Sequence, residues 1–96
     1  EFRRVLFRSY LLDEPENSLS ADRQLELVQL LEDFVRYEQC QFIIATHSPF
    51  VLSLKEAKIY DLDQTPVDVR KWTQLTSVQQ YYRFFQAHQA EFDDRS

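Results

Sequence analysis

The 96-residue sequence contains no glycine. At the usual frequency of about 7%, a chain of this length would carry roughly seven. The absence excludes a Gly-rich phosphate-binding loop within these residues, together with glycine helix caps and tight glycine turns. Either the fold avoids such turns, or these residues belong to a larger protein whose glycines lie elsewhere.

Cysteine and basic charge are also scarce. Cys40 is the single cysteine, which excludes an intrachain disulfide, and we interpret it as a half-buried structural residue. The 16 acidic residues outnumber the 11 basic ones, which argues against a surface that coats nucleic acid. No apolar run approaches the roughly 20 residues that span a bilayer, and no signal peptide is visible. We therefore expect a cytoplasmic protein without a transmembrane segment.

The first nine residues, EFRRVLFRS, differ from the rest because they carry three arginines and one acid. The stretch resembles translated adapter or vector sequence, so we expect residues 1–9 to be a non-native artefact. The alternative is a native basic strand that leads into Tyr10.

The apolar pattern predicts an α/β fold in the order strand, helix, strand, strand, strand, helix. Residues 10–13 and 41–46 are apolar runs typical of strands buried on both faces. Residues 21–38 between them carry apolar side chains at helical spacing. A strand–helix–strand unit of this kind implies two parallel strands and a right-handed crossover.

The second half of the chain predicts strands at 57–62 and 67–72, the latter an edge strand that can form a hairpin with the former. A final helix is expected at 77–92, and we interpret its aromatic stripe as core packing. Base stacking on single-stranded nucleic acid is the alternative, which the net acidity disfavours. Asp61 and Asp63 are expected in a solvated turn, and His88 at the surface.

Polar residues follow the first two predicted strands at the edge where a parallel sheet binds its ligands. Asp13 can hold Mg²⁺, directly or through a water. Glu14 points differently from Asp13 and can orient and polarise an attacking water. His47 can donate a hydrogen bond to a phosphate oxygen. Each motif alone is more often an ordinary turn, but the two together indicate phosphoryl chemistry.

Residues 11–20 (LLDEPENSLS), followed about 30 residues later by residues 43–49 (IIATHSP), resemble the C-terminal half of an ABC-type P-loop ATPase. The closer resemblance is to the soluble RecF-like and overcoming-lysogenization-defect-like branch, often catalogued as AAA-family ATPases, and it covers roughly residues 10–62. It implies a fragment of a P-loop NTPase parallel sheet, truncated before Walker B. The cofactors it implies in the full-length parent are ATP and Mg²⁺.

Under this resemblance, Asp13 is the Walker B acid acting on Mg²⁺ through water, and Glu14 is the catalytic glutamate. His47 is the switch histidine on the γ-phosphate. Ser18 and Ser20 lie in the D-loop, which crosses the interface of a nucleotide-sandwich dimer. The implied partner is therefore a second ATPase subunit. Ser20 stands where many transporter ATPases carry an aspartate, so this sequence departs from them there.

The Walker A lysine and glycines and the glycine-containing signature motif, which lie upstream of Walker B in such proteins, are absent. We therefore predict that the 96 residues alone do not hydrolyse ATP. We assign residues 10–65 to the ATPase core and 66–96 to a C-terminal strand and helix. Two alternatives stay open: a nucleotide-independent metal site for phosphoryl transfer, and a small α/β interaction module. Nucleic acid could bind only through regions missing from these residues.

Overall fold

The computed structural model describes residues 8–38 and 40–94. They divide into two compact units, the first ending at Ala57 and the second beginning at Lys58. Most of the predicted artefact, residues 1–7, lies outside the described residues. Arg8 and Ser9, its last two residues, belong to the first strand.

The first unit is a strand–helix–strand motif followed by a short helix. Its elements are β1 (Arg8–Asp13), α1 (Ala21–Tyr37), β2 (Cys40–Ala45) and α2 (Pro49–Leu52). The strands pair in parallel, in a register that runs from Arg8 opposite Cys40 to Asp13 opposite Ala45. The predicted parallel unit is confirmed, and the register brings the carboxyl ends of both strands to one edge.

Helix α1 begins where the sequence supplies a cap. The Ser20 side chain accepts a hydrogen bond from the backbone N–H of Arg23 at 3.3 Å, which satisfies one of the unpaired donors of the first turn. Asp22 in the first turn and Arg36 in the last turn both complement the helix dipole. These local signals explain why the observed helix agrees closely with the predicted one.

Aromatic rings join α1 to one face of the sheet. Phe34 on α1 meets Phe42 on β2 edge to face at 6.4 Å, and Phe42 stacks on Tyr10 of β1 at 5.4 Å. Leu31 of α1 is only 4% exposed. Cys40 is buried where the sequence predicted a half-buried residue, and its thiol donates to the Phe34 carbonyl at 3.3 Å.

The opposite face of the sheet is open, contrary to the predicted burial of both faces. Leu11 is 78% exposed and Ile43 57% exposed. Both alternate with the side chains that α1 covers, so they lie on the other side of the sheet. Nothing in the described part of the first unit covers this face.

The second unit begins with a hairpin. Its elements are β3 (Ile59–Asp61), β4 (Asp68–Arg70), a 3₁₀ helix (Trp72–Gln74), α3 (Thr76–Ala87) and α4 (Gln89–Asp93). β3 and β4 pair antiparallel, as the hairpin prediction required. They form a separate two-stranded sheet and do not extend the parallel one. The short connection between them suits a hairpin, because a parallel crossover needs a dozen or more residues.

The predicted final helix is interrupted at His88, and its aromatic stripe is not core. Val78 is buried, but the four rings of α3 are between 49% and 64% exposed: Tyr81, Tyr82, Phe84 and Phe85. The His88 ring packs against Phe84 and pairs with Glu91, while its side chain stays 44% exposed as expected. The core prediction was wrong because the described part of this small unit provides no second layer over the stripe.

Asp61 also departs from its predicted solvated turn. It is 8% exposed, and its Oδ2 lies 3.7 Å from Nε of Arg70 on the paired strand. Its Oδ1 accepts the backbone N–H of Asp63 at 3.0 Å, while Asp63 itself is exposed. The neighbouring cation and this hydrogen bond compensate the burial of the carboxylate.

Candidate functional site

The two predicted motifs lie side by side. Asp13 ends β1 opposite Ala45, and the backbone N–H of Glu14 donates to the Ala45 carbonyl at 2.7 Å, one residue beyond the strand. Thr46 and His47 follow directly from β2. Asp13, Glu14 and His47 are all exposed at this shared edge. The predicted common edge is confirmed, whereas the catalytic and binding roles of these residues stay predictions.

The turn after β1 uses unusual backbone geometry. Glu14 has φ 47° and Ser18 has φ 67°, both in the left-handed region that glycine normally fills. Such a conformation costs on the order of 1–2 kcal/mol for an ordinary residue. The backbone N–H of Asn17 donates to the Glu14 carbonyl at 3.0 Å, and that of Leu19 donates to the Glu16 carbonyl at 2.9 Å. Backbone strain of this kind clusters at functional sites.

Glu16 joins the turn after β1 to the loop after β2. Its Oε1 accepts a hydrogen bond from the Thr46 hydroxyl at 2.7 Å, and its Oε2 accepts the backbone N–H of His47 at 3.3 Å. Sequence reasoning assigned Glu16 no role at this site. Its position directly after Asp-Glu-Pro does not predict the contact with Thr46, because Thr46 lies 30 residues further along the chain.

A second set of bonds links the same loop to α1. The Ser48 hydroxyl donates to Gln24 Oε1 at 2.6 Å, and Gln24 Nε2 donates to the Leu19 carbonyl at 3.1 Å. The backbone N–H of Ser48 donates to the Thr46 hydroxyl at 3.0 Å. We call the four side chains of Glu16, Gln24, Thr46 and Ser48 the clasp. Together they tie both loops and the start of α1 into one hydrogen-bonded group.

The charge of Glu16 is maintained by its partners. Burial acts to raise the pKa of this carboxyl, but hydrogen bonds from Thr46 and from the backbone, including that of His47, outweigh it. The net effect holds the pKa of Glu16 below its ordinary value. Glu16 therefore acts as a two-oxygen acceptor at neutral pH.

Ser18 and Ser20 lie in the segment between the turn and α1. Ser18 is exposed and holds the left-handed conformation, while Ser20 is exposed and uses its hydroxyl to cap α1. Ser20 is therefore the N-cap residue of α1. The contact of both serines with a second subunit stays a prediction.

The described residues offer an exposed carboxylate that Mg²⁺ could use, but no loop that could hold the phosphate chain of ATP. Asp13 presents an exposed carboxylate, and Mg²⁺ commonly takes one or two carboxylates with waters and substrate phosphates. Among residues 8–38 and 40–94, no group of three or more His, Cys, Asp or Glu side chains could hold a metal ion. A triphosphate needs a Gly-rich loop, which this glycine-free sequence does not supply.

A comparison with protein families supports an AAA-family, P-loop ATPase-like domain. Residues 8–53 match a family model described as "AAA domain, putative AbiEii toxin, Type IV TA system". The matched range contains β1, α1, β2 and α2, and so includes the whole candidate site. Comparison with curated proteins and with solved structures gave no match. In the described part of the chain, no helix has the length and apolar character needed to cross a membrane.

Proposed function

We propose that this chain contributes the Walker B acid, catalytic glutamate and switch histidine of an ABC-type P-loop ATPase of the RecF-like soluble branch. The observation that carries the proposal is the parallel pairing of β1 and β2. It brings Asp13, Glu14 and His47, which come from motifs about 30 residues apart, to one edge of the sheet. Ligands of open parallel sheets bind beyond this edge.

Each residue takes the role that its chemistry and position allow. Asp13 would hold Mg²⁺ through water, and such an ion would supply positive charge next to the phosphates. Glu14 orients the attacking water and polarises it, and its strained backbone places it just past the end of β1. His47 donates a hydrogen bond to a phosphate oxygen from the exposed loop after β2.

The rest of the ATPase site comes from polypeptide outside these 96 residues. The sequence has no glycine from which to build a phosphate loop, so that loop belongs to another segment or another subunit. Ser18 and Ser20 contact the second subunit of a nucleotide-sandwich dimer. Isothermal titration of Mg-ATP into the 96-residue chain should accordingly show no micromolar binding.

The proposal is tested by Glu14→Gln in a protein that joins this chain to its phosphate loop. ATP binding should persist and turnover should fall about 10²–10⁴-fold, because general base catalysis is lost while the metal-binding acid remains. Binding is measured by titration and turnover by phosphate release. Glu38→Gln, at the far end of α1, is the matched control and should leave both unchanged. Undiminished turnover in Glu14→Gln would refute the catalytic assignment.

One observation favours the second candidate, a small α/β interaction module. The aromatic rings of α3 are exposed and available for contact with another protein. That candidate predicts that Asp13→Asn and Glu14→Gln change no activity. The metal-only alternative would need acidic ligands at further strand ends, and it is less favoured because Asp61, which ends β3, lies beside Arg70 instead.

A further inference from the structure

The loop that carries His47 is fixed from both sides. Thr46 is half-buried and donates to Glu16, and Ser48 is 5% exposed and bonded to Gln24. His47 between them is exposed, and its backbone N–H is bound to Glu16. The backbone of His47 is therefore held in place while its imidazole stays at the surface.

We propose that Glu16 is a positioning residue of this site, which fixes His47 relative to Asp13 and Glu14. It acts through the Thr46 hydroxyl and through the backbone N–H of His47. For its functional consequence the inference rests on the proposed ATPase role. The positioning itself can be measured without ATP.

The clasp requires a carboxylate at position 16. The Thr46 hydroxyl and the His47 N–H are both donors, and each occupies a separate oxygen of Glu16. A glutamine offers only one acceptor oxygen, and an alanine offers none. Hydrogen bonds to an ionised acceptor are roughly twice as strong as neutral ones. The lowered pKa of Glu16 agrees with this arrangement.

The first test is amide hydrogen exchange on the 96-residue chain, read by NMR at neutral pH. In Glu16→Ala the His47 amide should exchange about tenfold faster or more, because its acceptor is gone. Thr46→Val should accelerate the Ser48 amide, and Thr46→Ser should restore it because the hydroxyl returns. Glu38→Gln is the matched acidic control and should leave both amides unchanged.

The same spectra separate positioning from general stabilisation. The amide of Ile43 in β2 faces β1 and reports on the sheet, and it should keep its wild-type exchange rate in Glu16→Ala. If it accelerates in parallel with the His47 amide, Glu16 is merely structural and the proposal is overturned. It is equally overturned if the His47 amide is unaffected.

The second test uses the protein that contains the phosphate loop. Glu16→Ala should lower kcat for ATP about tenfold and leave KM within about twofold, because His47 is misplaced while nucleotide binding persists. A rise in KM with unchanged kcat would overturn the inference. Failure of the proposed function is distinguishable, because it appears as undiminished turnover in Glu14→Gln whatever the exchange data show.

Discussion

The two units of the chain hold their polar groups in different ways. In the first unit, the side-chain bonds of Thr46 and Ser48 reach residues 30 and 24 positions away. In the second unit, the polar contacts of Asp61 and Lys71 reach residues between two and nine positions away. Long-range bonds fix one loop against another, whereas these shorter-range contacts shape a single turn or hairpin. This difference explains why the candidate site can form in the first unit.

The units also differ in what they leave uncovered. The first exposes a sheet face with Leu11 and Ile43, and the second exposes rings along a helix. Among the described residues, the buried apolar side chains of each unit are few: Leu31, Cys40 and Val51 in the first, and Leu75 and Val78 in the second. Each unit therefore depends on a small number of core residues.

The largest expected effect comes from the core of the first unit. Leu31→Ala should lower its free energy of unfolding by about 2–5 kcal/mol, because a nearly buried side chain leaves a cavity. Val78→Ala in the second unit should cost about 1–2 kcal/mol, at about 0.8 kcal/mol per buried carbon group. Urea unfolding followed by NMR signals from each unit measures both. A larger loss of unfolding free energy in Val78→Ala than in Leu31→Ala would contradict this prediction.

Acid should lower the stability of the first unit more than that of the second, but this effect is smaller than that of the core substitutions. The pKa of Glu16 is lowered in the folded chain, so its contribution to stability is present above the unfolded pKa and is lost as the pH falls through the folded pKa. Because Glu16 is only half-buried, solvent screens its interactions, and the loss should stay below about 1 kcal/mol. The His47 amide should lose protection in acid relative to its intrinsic exchange rate. The Gln74 amide, which donates to the Lys71 carbonyl, is the reference and should keep its protection in acid.

In this acid series, Glu16→Gln is the control, since an amide side chain does not titrate. Its His47 amide should show no protection change between neutral and acidic pH. An identical acid response in the variant and the wild type would assign the effect to another group.

The smallest expected effect comes from the exposed rings of the second unit. Phe85→Gln should change the free energy of unfolding by no more than about 0.5 kcal/mol, because the ring is 51% exposed. Thermal unfolding measures this change, with Val78→Ala as the buried control. A loss equal to that of Val78→Ala would show that the stripe is packed in solution, as the sequence pattern predicted.

Much of the first unit could be predicted because its signals are local. The apolar period of α1, the Ser20 cap and the apolar runs of β1 and β2 each depend on a few neighbouring residues. The common edge of Asp13 and His47 then followed from the rule for parallel crossovers.

The clasp could not be predicted in this way. A glutamate in a turn indicates nothing about a threonine 30 residues later until the strand register brings them together. The burial of Asp61 was missed for the same reason, because its cation lies on the opposite strand. The aromatic stripe was misassigned because helical spacing predicts an apolar face but not what covers it.

The left-handed backbone at Glu14 and Ser18 has an evolutionary consequence. Glycine would fit either position at no steric cost, so mutation toward glycine relaxes the chain there. At position 18 such a change removes the hydroxymethyl side chain, whereas at position 14 it removes the carboxylate to which the proposed function assigns the attacking water. Under the proposed function, a descendant with glycine at position 14 would keep the fold and lose catalysis. Selection for turnover would then be sufficient to retain glutamate at position 14 despite its strained backbone.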